Sequence, residues 1–350
     1  MTSTISQVAE QAGVSIGTVS RVLNGKNKEN RPSAVKRAAK IRKIAAEIGY
    51  RPNTAARAAR SGAFGAFGLL ACSDPLSESL DLGLIHGIQS GLGRGGERLL
   101  MSELPPTGFQ NADTIPQILT ENSVDGLIVS YVGELPESWS QMIESGAAPH
   151  IWLNTKAPKN CVYPDDFQAA RDATRYLVSL GHERLAFLSQ HEHEVTGFRH
   201  YSVFDRRDGF LAALDDAGLK PLAVEVTGGF VFGHGAETVT RILKQPERPT
   251  ALVCYEKHEA VLAWVAATAL GLRIPEDLSI IAFHPDMLRK QTGLPIRTVV
   301  VPFATIGQVA VEMLRAATRT RDRVLPARAI PYSMDDSRSC APPLSPADGS

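Results

Sequence analysis

The stretch from Ile16 to Arg21 carries the clearest chemistry in this chain. If Ser15 caps a helix that starts there, Ile16, Gly17, Ser20 and Arg21 share its exposed N-terminal face. Such a face reads base edges when the helix lies in a DNA major groove, and a bidentate Arg to guanine contributes about 1 to 3 kcal/mol of discrimination. The surrounding charge agrees. The first 62 residues hold twelve Lys and Arg against three Glu, a net of +9, and because the whole chain is formally neutral the rest carries −9. A polyanion is the natural partner of such a head. Lys36, Lys40 and Lys43 are expected on a solvated face.

Other chemistry is sparse. His191, Glu192, His193 and Glu194 form the one metal-like cluster, but no third ligand stands at a fixed spacing and a loop accounts for them as well, so no metal is expected. No nucleophile elbow or phosphate loop follows a strand, and the GLGRGG run at Gly91 to Gly96 lies late in a helical pattern. Neither catalysis nor a cofactor is expected. Cys72, Cys161, Cys254 and Cys340 lie far apart without Cys-x-x-Cys spacing, which suits reduced structural thiols. No run of about 18 apolar residues occurs, and the start MTSTISQVAEQ lacks the features of an export signal, so a cytoplasmic protein with no membrane partner is expected.

These residues need elements to hold them. Ile5, Val8, Ala9 and Ala12 follow helical spacing up to Gly13; Val19, Val22 and Leu23 do so after Ser15. Pro32 and Ser33 suit the start of a third helix through Ile48. The reading is a small three-helix head over 1–50 and a hinge over 51–62, in which Asn53 can cap an alanine-rich segment. From Phe64 apolar runs such as FGAFGLLAC, VDGLIVSYV, ALVCY and LSIIAFH alternate with amphipathic stretches, the rhythm of parallel sheets. Two doubly wound lobes are expected over 63–340: an N-lobe of about 63–163 and 300–328, and a C-lobe of about 164–299 and 329–340. After Leu325 the composition turns to Pro, Ser and Asp, which predicts a largely irregular tail, with 341–350 outside the lobes.

The string ISQVAEQAGVSIGTVSRVLNG resembles, nearly position by position, the start of the lactose and purine repressor family, and the likeness runs on through IGYRPN to SRSCAPP. It implies a DNA-binding transcriptional regulator: an all-α helix-turn-helix head on an α/β body of two parallel-sheet lobes like those of periplasmic binding proteins. By that resemblance Ile16, Gly17 and Arg21 are base-reading, while Thr18, Ser20 and Asn24 contact phosphates; Thr4 and Ser15 are also expected among the DNA-binding residues. Asn53, Arg57 and Ala59 belong to the hinge. It also implies an effector cleft at the strand ends lined by Asp74, Asn154, Arg206, Phe230, Tyr255 and His284. There Arg206 can donate a fork of hydrogen bonds and Phe230 can stack on a sugar face.

The chain departs from the family pattern in places. The loop Gly25 to Arg31 is longer and more charged, and Ala59 stands where a leucine usually wedges into the minor groove. In the cleft, Asn154 and His284 replace frequent carboxylates, which hints at an acidic or phosphorylated sugar. The expectation is a homodimer on a pseudo-palindromic operator, a repressor of a catabolic operon controlled by a sugar or sugar acid. The rivals are a sugar-binding protein without operator function and a sugar-acting enzyme.

Overall fold

The computed structural model describes residues 3–23, 31–53, 58, 62–72, 81–104, 116–131, 135–146, 148–189, 200–226, 234–284, 286, 290, 292–320 and 324–344. The chain divides into two units, Met1–Phe64 and Gly65–Ser350.

The first unit holds α1 (Ile5–Ala12), α2 (Ile16–Leu23) and α3 (Pro32–Glu47). Each helix presents its apolar positions to a shared core of Val8, Ala9, Ala12, Val19, Val22, Ala38, Ile41 and Ala45. Small residues dominate α3's share of that core, so the helices approach closely around Ile41. Gly13 ends α1 at φ +70°, a left-handed position that suits glycine. Lys40 is not merely solvated as expected: its Nζ donates to the Ala12 carbonyl at 3.2 Å, satisfying an orphan oxygen at the end of α1.

The second unit begins with β1 (Ala66–Cys72), α4 (Leu82–Gly93), β2 (Arg98–Leu104), α5 (Gln117–Thr120), β3 (Leu127–Ser130), α6 (Glu137–Ser145), β4 (His150–Leu153) and β5 (Cys161–Pro164). It continues with α7 (Asp166–Ser179), β6 (Leu185–Ser189), α8 (Tyr201–Asp216), β7 (Ala223–Val226), α9 (His234–Leu243), β8 (Ala251–Cys254), α10 (Lys257–Ala269) and β9 (Ser279–His284). β10 (Arg297–Val300), α11 (Phe303–Arg319), β11 (Arg328–Ile330) and β12 (Ser333–Met334) complete it.

Two six-stranded sheets result, in the orders β11-β5-β4-β3-β1-β2 and β12-β10-β9-β8-β6-β7. Among the described strands every pairing is parallel except the antiparallel β10–β12 edge. Strands buried on both faces, such as LIVS, ALVC and SIIAFH, are uninterrupted apolar runs for that reason. The chain changes sheets after β5, between β10 and α11, and again after β11. The last change keeps it in the first lobe to Ile330, beyond the crossing expected near 328.

The tail after Leu325 departs further from expectation. Besides β11 and β12, it contributes a strap sealed onto the second lobe: Ser339 Oγ accepts from the Arg297 amide at 2.7 Å, and the Asp335 carboxylate accepts from the Thr298 amide at 2.9 Å. His182 lies beneath, within 3.0 Å of Thr250 Oγ1, Ser279 Oγ and the Ala341 carbonyl. Composition predicted looseness; hydrogen bonding to buried strand ends overrides it. Among the described residues no helix is long and apolar enough to cross a membrane.

Candidate nucleic-acid interface and ligand cleft

In the head, Thr4 starts α1 with a capping box: its Oγ1 accepts from the Gln7 amide and Gln7 Oε1 accepts from the Thr4 amide. Ser15 caps α2 with a single bond, its Oγ accepting from the Thr18 amide at 3.3 Å and lying 3.0 Å from Thr18 Oγ1. Ser15 and Thr18 thus have structural work as well as the DNA-binding places expected of them. The cap fixes the entry of α2, whose exposed face shows Ile16, 46% exposed, with Gly17 and Arg21. Ser20 is half-buried. Arg21 Nε reaches back to the Gly17 carbonyl at 3.4 Å, a long contact that leaves most of the guanidinium fork outward. A Cβ on Gly17 would meet nothing nearer than Ser15 Oγ at 3.9 Å, so glycine here leaves the face bare without any steric need. Asn53 is exposed. Asn24, Arg57 and Ala59 lie outside the described residues.

In the body, Asn154 follows β4, Tyr255 follows β8, and His284 ends β9, all at carboxyl ends of parallel strands, where open α/β sheets place ligands. Arg206 reaches the same region from α8, and its guanidinium is tied inward. Nε donates to Asp166 Oδ1 at 2.7 Å, Nη1 to the Tyr255 carbonyl at 2.6 Å and Nη2 to the Tyr332 hydroxyl at 3.1 Å. Its carbon lies over the rings of Tyr255 and Phe283, 4.6 and 4.4 Å from their centroids. Burial opposes this charge, but Tyr332 and Asp166 outweigh it and hold the group protonated. The fork expected for a ligand is therefore largely committed within the lobe. His284 is buried, with Nδ1 accepting from the Asp286 amide at 3.2 Å. Asp74, Phe230 and the His191–Glu194 cluster lie outside the described residues.

Sequence reading missed Asp166 and Tyr332, the partners of Arg206. Asp166 is fully buried; its Oδ1 also accepts from the Tyr332 hydroxyl at 2.6 Å, and its carboxylate lies within hydrogen-bonding reach of the Tyr201 hydroxyl. Its only signal was the acidic pair Asp165 and Asp166 before a helix, where Asp165 caps α7 through the Gln168 amide. Tyr332 sat in the tail expected to be irregular. Burial, partly offset by Arg206, pushes the Tyr255 hydroxyl up to about 12, so it stays protonated beside Ser202 Oγ at 2.8 Å.

Comparison with known proteins follows the same division. Residues 4–53 match the model of bacterial regulatory proteins of the lacI family, and residues 174–340 match that of the periplasmic binding protein-like domain. The HTH-type transcriptional repressor PurR of Vibrio atlanticus (strain LGP32) is 28% identical over 330 residues, covering 91% of this chain and 93% of its own. Among solved structures, the lac repressor dimer bound to operator and the anti-inducer ONPF superposes with a TM-score of 0.73 at 23% identity, covering 97% of this chain and 100% of that one. A complex of the transcriptional regulator CelR with cellobiose gives 0.62 at 20% identity, covering 96% and 99%.

Proposed function

The chain belongs to the lacI family of bacterial regulatory proteins, and from that premise we propose that it is a transcriptional repressor of a catabolic operon, acting in the cytoplasm as a homodimer. Two heads would read the half-sites of a pseudo-palindromic operator, because one α2 spans only a half-site. The observation that carries this reading is the capped α2, which holds Ile16, Gly17 and Arg21 on the exposed face of a head with net charge +9. Leu100 and Met101, exposed on the edge strand β2, supply an apolar surface for the second copy, since an open edge of this kind needs covering.

The cleft is assigned to a small effector. Of sugars and sugar acids, the described residues favour the neutral class: Arg206 already faces Asp166, and Lys156 faces Asp205 at 2.7 Å, so neither cation is uncommitted. Tyr201, Tyr255, Ser202 and Asn154, neutral groups bonded to one another, can exchange those bonds for the hydroxyls of a polyol. The family relationship and the absence of any nucleophile and base pair among the motifs weigh against an enzyme. A mobility shift with fragments of the upstream DNA, with and without a panel of neutral sugars and sugar acids, tests this. A specific shift altered by one neutral sugar supports the reading; binding no tighter than to random DNA under every condition refutes it.

A further inference from the structure

The two lobes grip one another across the cleft through the chain's own polar groups. Asn154 leaves β4 at φ +51°, a left-handed backbone uncommon outside glycine. From that turn both its carbonyl and its side chain engage the second lobe: the carbonyl accepts from His200 Nε2 at 2.8 Å and Oδ1 accepts from the Tyr201 hydroxyl at 3.3 Å. His200 Nδ1 accepts from the Ser202 amide, so the imidazole caps α8 with one nitrogen and holds the first lobe with the other. Two residues past Asn154, Lys156 Nζ meets Asp205 Oδ2 at 2.7 Å. The Tyr163 ring stands edge-on to Tyr201, centroids 6.0 Å apart. All of these contacts join the β4–β5 segment of the first lobe to the first turn of α8.

Tyr201 has one hydroxyl proton and two acceptors within reach of its environment. Asn154 Oδ1 lies across the cleft. Within its own lobe is Asp166, a buried carboxylate within hydrogen-bonding reach of the Tyr201 hydroxyl, whose charge and hydrogen bond add to burial in raising that hydroxyl. We infer that Asn154, His200, Tyr201, Lys156 and Asp205 form a latch that holds the lobes closed, with Tyr201 as its positioning residue. The Tyr201 O–H donates to Asn154 when the lobes are closed and turns to Asp166 Oδ2 when they part. Both arrangements satisfy the hydroxyl, so opening leaves no buried donor stranded. The latch belongs to the body and rests on the repressor reading only in supposing that lobe closure bears on operator binding.

Hydrogen exchange by mass spectrometry on the full chain tests it without operator or ligand. The samples are the native protein, Tyr201→Phe, Asp205→Asn, their combination, and Arg207→Gln as a control whose partner, Asp208, lies on the same helix. Tyr201→Phe keeps the ring against Tyr163, so the fold has no reason to fail. In the double variant the segments 154–156 and 200–205 are expected to exchange about tenfold faster, with β6 and β8 still protected and the control unchanged. Native exchange rates in those segments, or equal acceleration by Arg207→Gln, would overturn the latch. Operator affinity on the same samples reports separately on the repressor reading.

Discussion

Arg206 and Asp166 are a buried charge pair, so removing one partner leaves the other uncompensated. Arg206→Ala should destabilise the body by about 3 to 5 kcal/mol, read by urea unfolding, while Arg206→Met with Asp166→Leu should recover much of that loss. A single variant as stable as the native protein would mean that water reaches the pair. His182 makes the second residue-level case. Burial lowers its pKa from 6.5, against a smaller opposing contribution from the Ala341 carbonyl. Below about 6.5 the unfolded chain binds a proton that folded His182 resists, so stability falls as the pH falls through that range. The urea midpoint should drop between pH 7.5 and 5.5, and His182→Gln should shrink the drop. His150 acts in the same direction, also chiefly by burial, and His258 opposes it through its hydrogen bond to Glu256.

Among elements, the pairing of α4 with α11 is set by glycine. A Cβ on Gly87 would overlap the Ala304 carbonyl, and one on Gly307 would crowd the Leu84 carbonyl. Backbone cannot yield as a flexible side chain can, so Gly87→Ala should cost about 1 to 3 kcal/mol and lower the melting temperature of the body while leaving the helicity of the head unchanged. Gly17 in α2 is the opposite case, with open space around it. Gly17→Ala should stabilise the head by about 0.5 to 1 kcal/mol and alter operator preference, since it adds a methyl group to the exposed reading face. A melting temperature that falls on this change would show that the glycine conformation is needed after all.

At the level of the whole molecule, a cationic head on an acidic body makes DNA affinity steeply salt-dependent, because each neutralised phosphate releases counterions. Arg21→Ala should weaken specific binding about 5- to 150-fold, the equivalent of a lost bidentate base contact, while leaving random-sequence binding nearly unchanged. Equal loss on both DNAs would assign Arg21 to a phosphate. Met101→Lys on the β2 edge should produce monomers in analytical ultracentrifugation and weaken operator binding, since two linked heads bind far better than one. A variant that sediments as a dimer would move the interface elsewhere.

The sequence by itself determined the head, the alternation of the body and the charge division between them. These are local facts: Thr4 and Ser15 cap the helices that follow them, Gly13 can turn left-handed, and short apolar runs such as SIIAFH read as buried strands. Only the tertiary structure decided which polar groups meet. Asp166, Arg206 and Tyr332 lie up to 166 residues apart in the chain, and their pairing depends on the crossing after β11 that brings Tyr332 back to the second lobe. The tail looked loose by composition because nothing in its residues reveals the strand-end amides of Arg297 and Thr298 that it seals. Asn154 could be placed at a strand end from sequence, but its bonds to His200 and Tyr201 appear only when the two lobes stand face to face. Composition and periodicity report what each segment can bury; the specific partner of a buried polar group is set by geometry between segments, which no local pattern encodes.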